Sequence, residues 1–422
     1  MKRARGRATG PGAVAGTLIL GLAACGGGGD ARGAAPSSGP ASPTAPPPDA
    51  AIRILPADGA REVRPDKPVV VTALRGVLDR VVVRGGGASA AGRLSADRRT
   101  WRSHWSLRPG TPYTITTMGT GPDGDRTLAT SRFRTLKPAA TFAVADVTPT
   151  PGEVVGVGMP LTVTFDRAIA DQAAVERSLE LRMSRPVTGA WNWVNDRQVV
   201  FRTRRYWPAG QRVTLVAHTA GVRSAPGVYG AAGHVSAFRV GASRISVVDA
   251  RSHRMTVRVN GAVVRSAGIS AGKGGRRAYT TTSGVHLAMG RGDPVVMTSA
   301  WMGVTDPKHP DYYKLKVHHA VQISASGEYV HSAPWSVKDQ GRRNVSHGCV
   351  NAPPSFAAWF YGQTLRGDVI TVVGTDRPLE WQNGWGHWQL PWSRWLAGSA
   401  LKKPVKPVRL GDGGRAARGP GR

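Results

Sequence analysis

A loose internal repeat with a period of roughly 100 residues constrains the fold of this 422-residue chain more than any other feature. The run Pro-Val-Val-Val-Thr at 68–72 recurs as Pro-Leu-Thr-Val-Thr at 160–164. Residues 108–115 recur loosely as residues 207–215. The first half of the chain therefore contains two copies of one structural unit.

Short runs of alternating Val and Thr, separated by Gly and Pro residues, make up both copies. Such alternation indicates strands with one buried face, and many short strands joined by turns are typical of antiparallel sandwiches. We therefore predict two immunoglobulin-like β-sandwiches, at residues 51–138 and 141–241. Neither contains a cluster of catalytic residue types, so both are expected to space and orient the rest of the chain, with glycan binding as the alternative.

A third, β-rich domain with one or two helices is predicted at residues 242–376. The pair Asn-Gly at 260–261, between two strand-like runs, is a strong type I′ hairpin signal. One helix is expected to begin near Pro353 and to end by Gly367, because Pro is favoured in the first turn of a helix. Tryptophans are concentrated at 377–401. They predict an aromatic hook packed against the third domain, with sugar stacking as the alternative.

Residues 1–25 have the features of an export signal. Basic residues precede an apolar stretch at 13–21, and Leu-Ala-Ala-Cys at 22–25 resembles a lipobox. The apolar stretch is shorter than the ~20 residues that a membrane span needs. We expect a lipid on Cys25 and a location on the outer face of the cytoplasmic membrane, with an ordinary secretory peptide as the alternative. Residues 26–50, rich in Gly, Pro and Ser, predict a disordered linker.

The chain carries 57 basic and 26 acidic residues, a formal net charge of +31. Such an excess usually points to nucleic acid. An exported chain instead meets anionic polymers and lipid head groups of the cell envelope, so these are the expected partners and nucleic acid is not. Part of the excess lies at 402–422, which is predicted to be a disordered basic tail.

Cys349 is the one cysteine that keeps a free thiol if Cys25 carries a lipid. It lies in the motif Ser-His-Gly-Cys-Val-Asn at 346–351, and His331 precedes it. Only a thiolate attacks, and a free cysteine with a pKa near 8.5 is mostly protonated at neutral pH unless a neighbouring imidazole takes its proton. The pattern indicates a cysteine nucleophile with a histidine base, and a buried structural cysteine is the alternative.

The motifs His-Ser-Ala-Pro-Trp-Ser-Val at 331–337 and Ser-His-Gly-Cys-Val-Asn at 346–351 resemble the signature of the L,D-transpeptidases with a YkuD catalytic domain. The resemblance covers residues 242–400 and includes Asn-Gly-Trp-Gly-His-Trp at 383–388. It is strongest to actinobacterial lipoproteins with tandem immunoglobulin-like domains. It implies a mainly β chain, in which the two sandwiches precede a YkuD-type catalytic domain and a C-terminal aromatic extension.

The resemblance implies an enzyme that cross-links the third residues of peptidoglycan stem peptides. Cys349 would attack the carbonyl of a third residue, release D-alanine and form a thioester that the side-chain amine of another stem opens. His331 would be the base, and Ser332 would orient its ring through its main chain or its hydroxyl. No cofactor and no metal are implied, and carbapenems are expected to acylate Cys349.

Further roles follow from the same resemblance. Tyr313 would donate to the oxyanion alongside the Gly348 and Cys349 amides, while His347 and Ser346 would shape the pocket. Residues 297–313 would form a lid whose apolar lining is Met297, Trp301 and Met302. The residues expected to contact the substrate are Ser326, Gly327, Asn351, Tyr313, Met297 and Trp335.

Two other functions are compatible with parts of the sequence. A zinc peptidase could use His331, His347 and Cys349, with His318 or His319, although zinc ligands are normally more closely spaced. A lipid-anchored, non-enzymatic adaptor that binds the cell wall would need no nucleophile at all. The intact catalytic motifs argue against the adaptor.

Overall fold

The computed structural model describes residues 51–411. The predicted signal peptide with Cys25, the linker at 26–50 and the end of the chain from residue 412 lie outside the described residues. Within 51–411 the chain is mainly β, as predicted. No helix in this part of the chain is long and apolar enough to cross a bilayer.

The first repeat folds into two four-stranded sheets, ordered β1-β2-β6-β5 and β4-β3-β7-β8. The strands are β1 (Ile52–Leu55), β2 (Val70–Ala73), β3 (Val77–Gly85), β4 (Ala88–Ser89), β5 (Gly92–Leu94), β6 (Thr100–Ser103), β7 (Pro112–Thr120) and β8 (Arg126–Arg134). Alternate side chains of β7 are buried, as the Val and Thr pattern predicts. Tyr113 and Ile115 from this strand share a core with Val71, Trp101 and Phe133.

The second repeat forms a larger sandwich with three sheets, ordered β10-β12-β15-β14, β11-β19-β16-β13 and β17-β18-β9. Its elements are β9 (Ala140–Phe142), β10 (Val144–Thr148), β11 (Val154–Val155), β12 (Leu161–Phe165), α1 (Gln172–Arg177), β13 (Leu179–Met183), β14 (Gly189–Trp193), β15 (Gln198–Thr203), β16 (Arg212–Ala217), β17 (Arg223–Ala225), β18 (Val228–Gly230) and β19 (His234–Val240). The Asp171 side chain caps α1 by accepting the Ala174 N–H at 2.9 Å.

The sequence repeat corresponds to equivalent strands. The Pro-Val-Val-Val-Thr run forms β2, the second strand of its sheet, and its copy forms β12, also a second strand. The other repeated segment leads into β7 in the first sandwich and into β16 in the second, and each of these strands lies between two partners. The prediction of two successive sandwiches is therefore confirmed.

The third domain consists of sheets ordered β22-β21-β20-β30-β23 and β24-β27-β28-β29, with a separate hairpin β25-β26. Its strands are β20 (Arg244–Asp249), β21 (Arg254–Val259), β22 (Ala262–Gly268), β23 (Gly284–Leu287), β24 (Gly290–Gly292), β25 (Val295–Thr298), β26 (Lys314–Val317), β27 (Ala320–Gln322), β28 (Tyr329–Ser332), β29 (Val350–Ala352) and β30 (Val369–Val373). The predicted hairpin joins β21 to β22, and both Asn260 and Gly261 have positive φ, as a type I′ turn requires.

The predicted helix is α2 (Pro354–Gln363), which begins where expected and ends four residues before Gly367. Phe356, Ala357 and Phe360 bury one side of it against Val330 and Val350 of the second sheet. Because β29 and α2 are nearly contiguous, this packing also fixes the loop that precedes β29. Short 3-10 turns lie at Arg277–Tyr279, Ser299–Met302, Pro334–Ser336 and Gly386–Gln389.

The tryptophan-rich hook contacts the third domain, as predicted, where the Gln389 side chain donates to the Val285 carbonyl at 2.8 Å, and it also packs against the second sandwich. Helix α3 (Trp392–Ala397) places the fully buried Trp395 against Ala190 and Val200. The Trp395 indole N–H donates to the Ala190 carbonyl at 2.9 Å, and the Asn192 side chain donates to the Trp395 carbonyl at 2.9 Å. The hook therefore joins the sandwich to the domain that follows it.

Arg202 lies among three tryptophans of this hook. Its guanidinium carbon is 4.8 Å from the ring centroids of both Trp388 and Trp395 and 5.7 Å from that of Trp392. Its N–H donates to the Leu390 carbonyl at 2.7 Å. Burial lowers the pKa of Arg202 to about 10, so the side chain stays charged near neutral pH and its cation–π contacts persist.

The first ten residues of the predicted disordered tail have a defined backbone. Strand β31 (Val408–Arg409) pairs in parallel with β13, and the Val405 N–H donates to the Gly189 carbonyl at 2.8 Å. The prediction of disorder is therefore wrong for residues 402–411. The edge strand β13 leaves backbone groups to be paired, and the chain end supplies the partner.

The second sandwich and the third domain share one apolar core. Leu287 and Val369 of the third domain belong to the same buried cluster as the sandwich core. The Gly156 N–H donates to the Arg366 carbonyl at 2.7 Å, and a side chain at Gly156 would clash with the Asp368 backbone. This close approach leaves little freedom for one domain to rotate against the other.

Trp395→Ala is expected to lower the free energy of unfolding by about 3–5 kcal/mol, because it removes a fully buried indole and leaves a cavity. Urea denaturation followed by circular dichroism measures the change. Trp335→Ala is the matched control, since that tryptophan is 49% exposed and its loss should cost under about 1 kcal/mol. Equal midpoints for the two variants would contradict the anchoring role of Trp395.

Candidate active site

A pocket of about 530 Å³ opens beside Cys349. Its floor is the sheet containing β28 and β29, and its outer wall is the hairpin β25-β26. The predicted site residues that line it are Met297, Tyr313, Ser326, Gly327, His331, Trp335, Ser346, His347, Gly348, Cys349 and Asn351. Trp301 also lines the pocket, whereas Ser332 and Met302 do not. Met302 is thus removed from the predicted lid lining.

Parallel strand pairing brings the two catalytic motifs together. In the pairing of β28 with β29, Val330 is opposite Val350 and His331 is opposite Asn351. Cys349 is the residue directly before Val350, the first residue of β29, so it lies at the end of this ladder. Two motifs that are separate in sequence therefore become neighbours across one ladder.

The His331 ring is held in a defined orientation. Its Nδ1 lies 2.9 Å from the main-chain carbonyl of Ser332, so Nδ1 donates its hydrogen and Nε2 is left as the acceptor. The ring is 3% exposed, and burial lowers its pKa against the opposing effect of this hydrogen bond. The neutral ring is therefore ready to accept a proton.

Ser332 orients this ring through its main chain. The Ala333 N–H, which belongs to the same peptide group as the Ser332 carbonyl, donates to the Ala352 carbonyl at 3.0 Å and so fixes the carbonyl that holds His331. Among residues 51–411 no hydrogen bond involves the Ser332 hydroxyl. The prediction left open whether Ser332 orients the ring through its main chain or its hydroxyl, and the structure shows the main-chain contact.

Cys349 is half-buried, and its thiol is not ionised at rest. Burial raises the thiol pKa to about 12, and the charge of Glu328 adds to this effect. The sulphur lies 3.7 Å from the Gly327 carbonyl oxygen and 4.0 Å from the Met297 sulphur. No hydrogen bond within the described part of the chain joins it to His331. The expected thiolate is thus absent from this conformation.

The loop before Cys349 is fixed by Ser346. The Ser346 hydroxyl donates to the Cys349 carbonyl at 2.5 Å and accepts the Gly348 N–H at 3.1 Å. Gly348 has φ +123°, a conformation that favours glycine, and its carbonyl accepts the Thr281 hydroxyl at 2.7 Å. The Gly348 amide is therefore occupied and cannot serve the oxyanion role predicted for it.

The amide of Cys349 remains available. Its N–H takes part in no hydrogen bond among the described residues, so it can donate to a bound carbonyl oxygen. Tyr313 is a second donor, because burial raises its pKa and keeps the phenol protonated. Its oxygen accepts the Trp301 indole N–H at 2.7 Å, which leaves its own hydrogen free.

His347 joins the lid to the base of the pocket. Its ring stacks on that of Tyr313, with centroids 5.1 Å apart, and its Nε2 lies 3.4 Å from the Lys273 ammonium. Burial, followed by the charge of Lys273, lowers the His347 pKa. Asp311, from the lid, accepts the Tyr279 hydroxyl at 2.5 Å and lies 3.4 Å from Lys273.

Sequence reasoning missed Tyr279, Asp311 and Lys273. They lie outside the two motifs, and no local spacing connects them with Cys349. The only signal was the position of Asp311 in the predicted lid segment.

The opposite wall of the pocket contains a buried carboxylate that sequence reasoning also missed. Glu328 is 5% exposed and accepts both the Thr282 N–H and the Thr282 hydroxyl at 2.7 Å. Burial alone would raise its pKa, but the neighbouring His286, 3.7 Å away, and the hydrogen bonds from Thr282 lower it, so the group stays charged. Asn351, predicted to bind substrate, instead directs its amide N–H at the Ser336 hydroxyl, 3.0 Å away.

The histidines invoked for a zinc site are dispersed. His318 and His319 each contact the Asp293 carboxylate, at 2.6 and 2.8 Å. Within residues 51–411 no group of three or more His, Cys, Asp or Glu side chains could hold a metal ion.

Comparison with known proteins follows the same division of the chain. The family described as "Bacterial Ig domain" matches residues 60–223, and that described as "L,D-transpeptidase catalytic domain" matches residues 243–373. L,D-transpeptidase 2 of Mycobacterium tuberculosis is 39% identical over 390 residues, which cover 91% of this chain and 93% of that protein. L,D-transpeptidase 5 of the same species is 31% identical over 375 residues, covering 86% and 80% respectively.

Among solved structures, the chain is similar to the L,D-transpeptidase LdtMt1 in complex with imipenem, with 38% sequence identity and a TM-score of 0.47. The match covers 55% of this chain and 99% of the LdtMt1 chain. The chain therefore combines immunoglobulin-like sandwiches with a C-terminal catalytic domain. The match to the catalytic-domain family identifies an acyltransferase-type enzyme. The chain belongs to the L,D-transpeptidase family.

Alkylation of Cys349 by iodoacetamide should accelerate about tenfold per pH unit between pH 7 and 10, because a thiol pKa of about 12 keeps the thiolate fraction small throughout. Peptide mapping by mass spectrometry follows this cysteine alone. Glutathione, treated in parallel, should level off above about pH 9. A plateau for Cys349 near neutral pH would show that the thiol is ionised at rest.

Proposed function

We propose that this protein forms cross-links between the third residues of peptidoglycan stem peptides through a Cys349 thioester, with release of D-alanine. The observation that carries the proposal is the His331 ring, whose Nδ1 is tied to the Ser332 carbonyl while Nε2 is free on the wall of the Cys349 pocket. The L,D-transpeptidase family acts on stem peptides, which supports the substrate class.

The first step would transfer an acyl group to the sulphur. The thiol proton passes to His331 Nε2, and the thiolate attacks the carbonyl carbon of the third stem residue. The carbon–nitrogen bond to D-alanine then breaks, and the imidazolium returns its proton to the leaving amine. A positioned base of this kind contributes about 10²–10⁴-fold to the rate.

The proton transfer needs a rearrangement, because the thiol contacts the Gly327 carbonyl in the free enzyme. A donor that occupies the pocket would displace the thiol from this carbonyl and towards the histidine. The nucleophile is thereby generated only when a substrate is present.

The Cys349 N–H and the Tyr313 hydroxyl are the donors suited to the oxyanion. Each such donor is worth about 10²–10³-fold in a site that excludes water. Met297 and Trp301 line the lid side of the pocket and would provide that exclusion. In the second step the side-chain amine of another stem attacks the thioester carbonyl and gives its proton to His331. The carbon–sulphur bond then breaks, and the imidazolium returns the proton to the Cys349 sulphur.

The proposal also includes an exported, lipid-anchored location and anionic envelope polymers as partners. Lipid attachment at Cys25 would hold the enzyme on the outer face of the cytoplasmic membrane, next to its polymer. The net charge of +31 would favour anionic polymers of the envelope. Exposed arginines of the first sandwich support this. Arg84 on β3 and Arg132 on β8 both pair with Thr114 of the intervening strand β7, so the two basic side chains lie in one row across the sheet.

Cys349→Ala should reduce both D-alanine release and dimer formation to background, because no other group can form the thioester. A purified disaccharide tetrapeptide is the substrate, and mass spectrometry measures both products. The variant should retain the melting temperature of the parent chain. Normal turnover by the variant would overturn the proposal, and binding to cell wall without turnover by the parent would favour the adaptor function.

A carbapenem should acylate Cys349 and increase the mass of the protein by that of the intact drug, because its strained amide replaces the donor carbonyl. Intact-mass spectrometry gives the rate. His331→Ala should slow this acylation by about 10²-fold or more, since the thiol pKa of about 12 leaves it dependent on a base. Equal rates in the parent and the variant would show that His331 does not activate the sulphur.

A further inference from the structure

The loop next to the nucleophile is held by a residue from the C-terminal segment. The Asn383 side-chain oxygen accepts the Ser326 N–H at 2.9 Å, and its amide nitrogen donates to the Ser326 hydroxyl at 2.9 Å. One side chain thus engages both the main-chain N–H and the hydroxyl of Ser326, across 57 positions of sequence. Such a two-point contact fixes the orientation as well as the position of the loop.

This loop reaches the reacting sulphur directly. Gly327 follows Ser326, and its carbonyl oxygen lies 3.7 Å from the Cys349 sulphur. The Ser326 hydroxyl is also 3.0 Å from that of Ser324, which accepts the Glu328 N–H at 3.1 Å. A change at Ser326 is therefore passed to the carbonyl and the carboxylate that surround Cys349.

Asn383 is itself firmly placed. Its N–H donates to the Glu380 carbonyl at 3.0 Å, and Glu380 pairs with Arg277. The next residue, Gly384, has φ +70°, and a side chain there would come within 2.4 Å of the Met289 sulphur. The turn therefore requires glycine and holds Asn383 against the loop.

The same segment continues onto the second sandwich. The Trp388 indole N–H donates to the Gly158 carbonyl at 2.9 Å, and Trp385 lies 5.2 Å from the guanidinium of Arg366, a third-domain residue that pairs with Glu153 of the sandwich. The motif Asn-Gly-Trp-Gly-His-Trp at 383–388 thus contacts the pocket loop with its first residue and the sandwich with its last.

We propose that Asn383 is a positioning residue that sets the Ser326–Gly327 loop for donor binding and ties the geometry of the pocket to the docked second sandwich. This inference rests on the proposed function, because its kinetic consequence concerns the donor stem. Asn383 touches neither the sulphur nor the substrate in this account, and it acts through Ser326.

Asn383→Ala should raise the KM for the disaccharide tetrapeptide donor by about tenfold while kcat changes by less than about threefold, because a misplaced loop weakens ground-state and transition-state binding equally. Asn383→Asp should restore most of the KM, since its carboxylate can accept both the Ser326 N–H and the Ser326 hydroxyl. Gln382→Ala is the matched control, an exposed amide in the neighbouring position, and should leave both constants unchanged.

A double-mutant cycle isolates the contact. Ser326→Ala and Asn383→Ala remove two ends of one interaction, so their combined effect on KM should be smaller than the product of the single effects. Multiplicative effects would overturn the proposal, as would equal losses for Asn383→Ala and Gln382→Ala. A fall in kcat alone, together with a lower melting temperature, would assign Asn383 a structural role only.

Hydrogen exchange separates this inference from the proposed function. In the full chain, Asn383→Ala should speed exchange at the Ser326 amide by about tenfold, whereas Asn383→Asp and Gln382→Ala should not. Unchanged exchange would overturn the positioning role whatever the activity. Faster exchange in a protein that fails to turn over the tetrapeptide would retain the positioning role and reject the proposed reaction.

Discussion

The parallel pairing of β28 with β29 is the constraint on which the rest of the site depends. It places His331 opposite Asn351 and Cys349 at the entrance of the neighbouring strand. Helix α2 then packs on the same sheet and holds β29 in register. A shift of one residue in this ladder would turn His331 to the opposite face, because side chains alternate along a strand. His331 and Cys349, the base and nucleophile of the proposed reaction, thus share one rigid support.

The C-terminal segment makes the catalytic domain and the second sandwich a single unit. Trp395 packs against buried residues of the sandwich, and Arg202 of the sandwich lies among tryptophans of the segment. Strand β31 adds to the sheet of the sandwich by pairing with its edge strand β13. Leu287 and Val369 of the catalytic domain also pack into the sandwich core. Both the C-terminal segment and the catalytic domain itself therefore contribute to the interface. The second sandwich therefore supports the domain that contains the pocket.

Local patterns predicted the architecture well, because strand alternation, the Asn-Gly turn and the Pro-initiated helix are each encoded by neighbouring residues. Local residue types indicated Cys349 and His331, and the resemblance to a known family indicated most of the other members of the pocket. The state of those members depends on distant groups. The thiol pKa depends on burial and on Glu328, the Gly348 amide is taken by Ser346, and Trp395 of the hook packs on Ala190 and Val200, which only the folded sandwich brings together. None of these effects has a signature in sequence spacing.

The raised pKa of the Cys349 thiol has a consequence for the chemical lifetime of the enzyme. Oxidants and foreign disulfides react with thiolates, and a sulphur that keeps its proton is a poor target for both. Burial, with a smaller contribution from the negative charge of Glu328, opposes deprotonation of Cys349 while the pocket is empty. The resting thiol is therefore a poor target for oxidants, and the reaction proposed for it must begin by removing that proton.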